Sequence, residues 1–193
     1  MYNEIVNEVE YTEKIVDSKF LGYVYKIQTK NEGYGKIEKV KKMHPKATHV
    51  CWAMRYLDQD TGQLYYYFDD AGEPSGTAGK PILKVLSNRG LVNLICIVVR
   101  YFGGTKLGKG GLIRAYSNIT TRTVEKAGIT AYEKIIKDCF YVGYKELPNI
   151  VNILRSNNLD YNLDYKEDVV KITTEIKESL YKKLKNKLSV LSK

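Results

Sequence analysis

The run KFLGYVYKIQ (19–28) alternates apolar and polar positions and predicts a strand. The polar stretch 31–44, with scattered apolar positions, predicts a helix ending at the pair His44-Pro45. THVCWAMRYL (48–57) and QLYYYF (63–68) are β-branched and aromatic runs joined by the turn-forming DQDTG, which predicts a hairpin. DDAGEPSGTAG (69–79) has no period and reads as a loop. Pro81 suits the first turn of a short helix, PILKVLSNRG, that stops at Gly90. LVNLICIVVRYF (91–102) is almost continuously apolar, as in a strand buried on both faces. A glycine-rich loop, GGTKLGKGG (103–111), leads into a helix over 112–128, where Leu112, Ile113, Tyr116, Ile119 and Val124 form a stripe and Gly128 ends it.

A connecting strand is expected near 129–136. DCFYVGY then reads as a strand, LPNIVNILRSN as a helix, LDYNLDY and DVVKITTEI as a hairpin, and SLYKKLKNKLSVLS as a helix with Leu180, Leu184, Leu188 and Leu191 on one side. This βαββα order sets off a second small domain, giving an α+β protein divided into 1–134 and 135–193. No internal repeat or low-complexity linker is visible.

No apolar run approaches the roughly 20 residues that cross a bilayer, and the start, MYNEIVNEVEYTEK, is mixed and acidic. Cys51, Cys96 and Cys139 lie far apart in apolar or strand-like surroundings, which argues against a disulfide framework. A cytoplasmic protein with no membrane partner is expected. The net charge of +9 favours acidic partners, and its distribution says more. No acidic residue lies between Glu73 and Glu125, while Lys80, Lys84, Arg89, Arg100, Lys106, Lys109, Arg114 and Arg122 all do.

The segments ATHVCWA (47–53), GEPSGTAGKPIL (72–83) and VVRYFGGTKLGKGGLIRAYS (98–117) together resemble the signature of the IMPACT/YigZ family. The resemblance implies an N-terminal domain of the ribosomal-protein and GHMP-kinase superfold, also found in domain IV of elongation factor G. For 135–193 it implies a ferredoxin-like domain similar to domain V of that factor. Both point toward translation and toward RNA, the ribosome or a translation factor as partner. Two departures stand out. Where the family has two adjacent acids before the glycine of GEP, this chain has Asp70 then Ala71, with Asp69 one place earlier. The fourth strand of a ferredoxin-like sheet has no counterpart after the last predicted helix.

Glycines between a buried strand and a helix leave backbone N–H groups free, and a helix start favours an anion. Gly103, Gly104, Gly108, Gly110 and Gly111 fit that need, with Lys106, Lys109 and Arg114 adding charge. The alternative is a tight packing turn, which explains glycines but not the charge asymmetry. The loop nearly spells a Walker A motif, yet Gly110 stands where Ser or Thr would hold magnesium, so an NTPase is disfavoured. Asp69, Asp70 and Glu73 suit either a magnesium or acid/base site or a turn whose acids bond backbone N–H groups and a local Arg; Ser75 and Thr77 fit either. His49 and Cys51 share a strand face but lack further ligands for zinc. His49 reads as a polar group beside the acidic loop. No cofactor and no metal are expected. Arg100 and Tyr101, with Tyr116 and Trp52, are candidates for base stacking. The resulting reading is a non-enzymatic, translation-associated regulatory protein that binds RNA or a ribosome-bound factor through the loop-helix surface 100–116 and the acidic loop 69–77, with a phosphate or other small anion as a further ligand. The alternative is an enzyme acting on a phosphorylated or nucleotide substrate in the same place.

Overall fold

The structure, a computed structural model, describes residues 2–58 and 60–191, with side chains as far as Lys185. Leu188 and Leu191 of the expected apolar stripe therefore lie outside the described side chains, and Ser192 outside the described residues. The chain is mixed α+β and divides into two compact units, Met1–Tyr132 and Glu133–Lys193.

The first unit is built on a five-stranded antiparallel sheet. Its strands are β2 (Val9–Ile15), β3 (Ser18–Lys26), β4 (His49–Leu57), β5 (Leu64–Asp69) and β6 (Leu94–Tyr101), in the order β2-β3-β6-β4-β5. Two short strands, β1 (Asn3–Ile5) and β7 (Ile129–Ala131), pair with each other. The two-residue side-chain period of a strand sorts the central residues onto two faces. Phe20, Val24, Cys51, Ala53, Cys96 and Val98 pack against α2 (Gly79–Asn88) and α3 (Gly108–Ala127). Leu21, Tyr23, Trp52, Met54, Ile95, Ile97 and Val99 pack against α1 (Lys30–Met43). Burial on both faces explains the unbroken apolar run of β6. Thr29 caps α1 by accepting from the Glu32 N–H at 3.2 Å, and the Glu32 carboxylate accepts from the Gln28 N–H at 2.8 Å.

Two expectations need correction. The N-terminal stretch, to which no element was assigned, contains β1 and β2, and β2 turns into β3 through Val16, whose φ is +54°. Helix α3 begins at Gly108 rather than after Gly111, because Leu107 and Leu112 both pack on the core and draw the glycines between them into the first turn.

The second unit runs β8 (Ile135–Gly143), α4 (Leu147–Ser156), β9 (Tyr161–Tyr165), β10 (Val169–Lys177) and α5 (Glu178–Leu191). Its antiparallel sheet has the order β8-β10-β9, with Val142, Ile150, Leu154, Val170, Ile172, Ile176 and Leu184 as core. No helix among the described residues is long and apolar enough to cross a membrane.

Candidate functional site

The acidic loop after β5 is held by its own side chains. Asp70 accepts from the backbone N–H groups of Gly76 (2.8 Å), Ala78 (2.9 Å) and Gly79 (2.8 Å), so one carboxylate closes the loop and caps the start of α2. Asp69 accepts from the Ala71 N–H at 2.7 Å, which supports the positive φ of Ala71 (+46°). Thr77 is buried and donates its hydroxyl to the Pro74 carbonyl at 2.6 Å, while Ser75 is exposed. This is the turn reading of these acids. Among the described residues no group of three or more His, Cys, Asp or Glu side chains is placed to hold a metal.

Glu73, only 7% exposed, reaches inward instead. Its Oε1 accepts from Arg100 Nη1 at 2.7 Å and from the Tyr116 hydroxyl at 2.8 Å, and its Oε2 lies 3.8 Å from His49 Nε2. Arg100 Nη2 donates to the Ser18 hydroxyl at 3.2 Å, whereas Arg100 Nε is buried without a hydrogen-bond partner. Strand alternation explains the convergence: His49, Arg100 and Ser18 all lie on the β4, β6 and β3 faces turned toward α3. His49 Nδ1 donates to the Ala71 carbonyl at 3.0 Å, which ties the histidine to the acidic loop. Cys51 donates toward the Asp70 carbonyl at 3.0 Å; burial pushes its thiol up to about 12 and keeps it protonated. Burial also pushes the Tyr116 phenol up, so it serves as a hydrogen-bond donor to Glu73.

This geometry corrects the grouping of surface residues. Arg100 is 5% exposed and bound to Glu73, so it lies beneath the basic face rather than on it. Tyr101 projects from the opposite face of β6, where its hydroxyl meets His44 Nδ1 at 2.9 Å. Tyr116 and Trp52 are buried in different cores. These aromatics do not form one stacking surface.

The glycines divide by role. A Cβ at Gly103 would lie 1.9 Å from the Asp17 carbonyl oxygen, a packing requirement of the β2–β3 turn, which Thr105 also ties down by donating to Asp17 Oδ2 at 2.7 Å. Gly104 and Gly108 have φ of +103° and +68°, and Gly111 packs against Leu107. Gly110 is exposed and needs neither conformation nor space: a Cβ there would meet nothing closer than Arg114 Nη1 at 3.7 Å.

Lys106, Lys109 and Arg114 are exposed around the start of α3, and among the described residues none is ion-paired with a carboxylate. That helix start has no side-chain cap and no acidic residue in its first turn. His49, Glu73, Pro74, Arg100, Phe102, Lys106, Leu107, Gly108 and Lys109 line one cleft of about 470 Å³, closed by Thr48 and Leu112. Arg114 and Gly111 lie in a neighbouring hollow that shares Lys106. Phe102, 44% exposed on the cleft wall, and Ser18, which accepts from Arg100, are residues that sequence reasoning did not single out. The two-residue period of β3, which puts Ser18 on the same face as Phe20 and Val24, was the available signal for the second.

Fold and site thus define an α+β protein in which an acidic loop and a glycine-rich strand-loop-helix turn enclose a cleft with a cationic rim. The model of the Impact N-terminal domain matches residues 16–124, more than half of the chain. The IMPACT family member YvyE of Bacillus subtilis (strain 168) is 38% identical over 156 residues, covering 80% of this chain and 70% of that protein. The IMPACT family member YigZ of Escherichia coli (strain K12) is 31% identical over 163 residues, covering 84% and 79%. This chain belongs to the IMPACT family. A crystal structure described as that of a hypothetical protein shares the fold, with 27% identity, a TM-score of 0.68 and coverage of 99% of this chain and 92% of that one.

Proposed function

We propose that this chain is a translation-associated regulatory protein that binds RNA, free or within the ribosome, through the start of α3. The observation that carries the reading is the contrast in how charge is used. The carboxylates of the neighbouring loop are already committed to backbone N–H groups and to Arg100, whereas Lys106, Lys109 and Arg114 stand exposed around an uncapped helix start. An N-terminal helix turn with free N–H groups and nearby cations favours phosphate. The translation part of the reading is supported by the ribosomal-protein and GHMP-kinase superfold that membership of the IMPACT family implies for unit one. The βαββα order of unit two is compatible with the ferredoxin-like domain, similar to domain V of elongation factor G, that the family resemblance implies. The cleft favours a second reading, an enzyme acting on a phosphorylated or nucleotide substrate, in which His49 at the lip is the proton carrier. Binding of a fluorescent single-stranded RNA at low salt, compared with a Lys106→Ala/Lys109→Ala variant, tests the first reading. Loss of affinity in the variant supports it. Absence of binding by the unaltered chain overturns it in favour of the enzyme.

A further inference from the structure

A surface that only tracks a nucleic-acid backbone requires spaced cations on open ground. The cleft beside α3 has more structure than that. Its roughly 470 Å³ is in the range of pockets that hold small ligands. Its lining is asymmetric: Pro74, Phe102, Leu107 and Leu112 are apolar, while Lys106, Gly108 and Lys109 bring cations and the first helical N–H groups. Arg100 lines it too and is 95% removed from solvent (5% exposed), and its Nε is the one buried side-chain nitrogen or oxygen among the described residues without a hydrogen-bond partner. A buried charged donor left without an acceptor is costly and calls for an explanation. The same guanidinium sits 5.4 Å from the centre of the Phe102 ring, so the aromatic wall and the unsatisfied donor are held together. Glu73 adds little repulsion to an anion, because Arg100 already compensates it at 2.7 Å.

We propose that this cleft takes a terminal phosphorylated nucleotide: the phosphomonoester at the end of an RNA strand, or a free nucleoside monophosphate of the same chemistry. The phosphate lies against the first turn of α3 between Lys106 and Lys109, and the base lies against Phe102. A monoester carries a charge of about −1.5 to −2 at neutral pH and three acceptor oxygens, which suits two lysines, a helix start and a spare guanidinium N–H. An internal diester offers one charge and two free oxygens. The inference rests on the RNA-binding reading and names the part of the RNA that enters the cleft.

The test uses the full chain and short RNAs of one sequence bearing a 5′-phosphate, a 3′-phosphate or only hydroxyl ends, with adenosine monophosphate and inorganic phosphate as competitors. One phosphorylated end is expected to bind about tenfold more tightly than hydroxyl ends, with adenosine monophosphate competing. Phe102→Ala is expected to weaken the nucleotide about tenfold while leaving competition by inorganic phosphate unchanged. Equal affinity for phosphorylated and hydroxyl RNA overturns the inference and spares the RNA surface. Binding of the nucleotide with no binding of either RNA keeps the cleft as a nucleotide site and overturns the RNA surface. Binding of none of these overturns both.

Discussion

Replacing Glu73 by Gln keeps the shape of the side chain and removes one charge. In the folded chain that carboxylate receives two short hydrogen bonds, from Arg100 at 2.7 Å and Tyr116 at 2.8 Å, and is 7% exposed. The variant leaves the Arg100 guanidinium buried without a counter-charge, its acceptors reduced to the neutral amide oxygen at position 73 and the Ser18 hydroxyl, and its Nε is already without one. Breaking a buried pair by removing one partner costs about 3–5 kcal/mol, chiefly because the other charge stays buried. Glu73→Gln is therefore expected to lose about 3 kcal/mol or more. Adding Arg100→Met, which removes the stranded charge and fills the same space, is expected to recover about 2 kcal/mol of that loss. Urea unfolding followed by the fluorescence of Trp52, the single tryptophan and a buried residue of the first unit, reads both values. A Glu73→Gln variant within about 1 kcal/mol of the unaltered chain, with no coupling to Arg100, would refute the reasoning. Glu73 would then be a free acid available for chemistry.

Asp70→Ala removes the acceptor of three loop N–H groups and is expected to cost about 2 kcal/mol by the same unfolding assay, a typical loss for a cap with buried partners. Gly103→Ala is expected to prevent stable folding or displace the β2–β3 turn, visible as a large drop in unfolding midpoint, because its Cβ would overlap the Asp17 carbonyl. Gly110→Ala is expected to raise stability by about 0.5–1 kcal/mol, since alanine favours an exposed helical position, yet to weaken RNA binding; unchanged binding would mean that no ligand approaches that turn. Burial holds the thiols of Cys51 and Cys96 up to about 12, whereas Cys139 is exposed, so a thiol reagent at pH 8 is expected to modify one cysteine quickly in the native chain and all three in denaturant.

Much of this architecture was legible along the chain because its signals are local. The unbroken apolar run of β6, the turn residues of 69–79 and the stop at Gly128 each follow from side-chain period or backbone freedom, and the structure has a strand, a loop and a helix end there. The start of α3 was not legible. Gly108, Gly110 and Gly111 have poor helix propensity, and what draws them into the helix is the packing of Leu107 and Leu112, a tertiary effect. Strand β2 is an edge strand with one half-buried face, and its two acids and one lysine masked the alternation of Val9, Tyr11, Glu13 and Ile15. At the site, the exposed lysines could be read from charge distribution. The burial of Arg100 could not, because its partner Glu73 lies 27 residues away in a loop and meets it only through the fold.

The central claim, that the start of α3 meets phosphate, is tested most directly by the salt dependence of RNA binding. Each cation that contacts a single-stranded phosphate contributes about −0.7 to the slope of log affinity against log salt. With Arg100 buried, three contacts remain, from Lys106, Lys109 and Arg114, giving a slope near −2. Lys106→Ala/Lys109→Ala is expected to weaken binding and flatten that slope by about 1.4. Replacing Lys182 and Lys185 on α5, the first of which pairs with Glu178 at 3.0 Å, is expected to change little. Equal losses from the two double variants, or a slope that neither changes, would contradict the account.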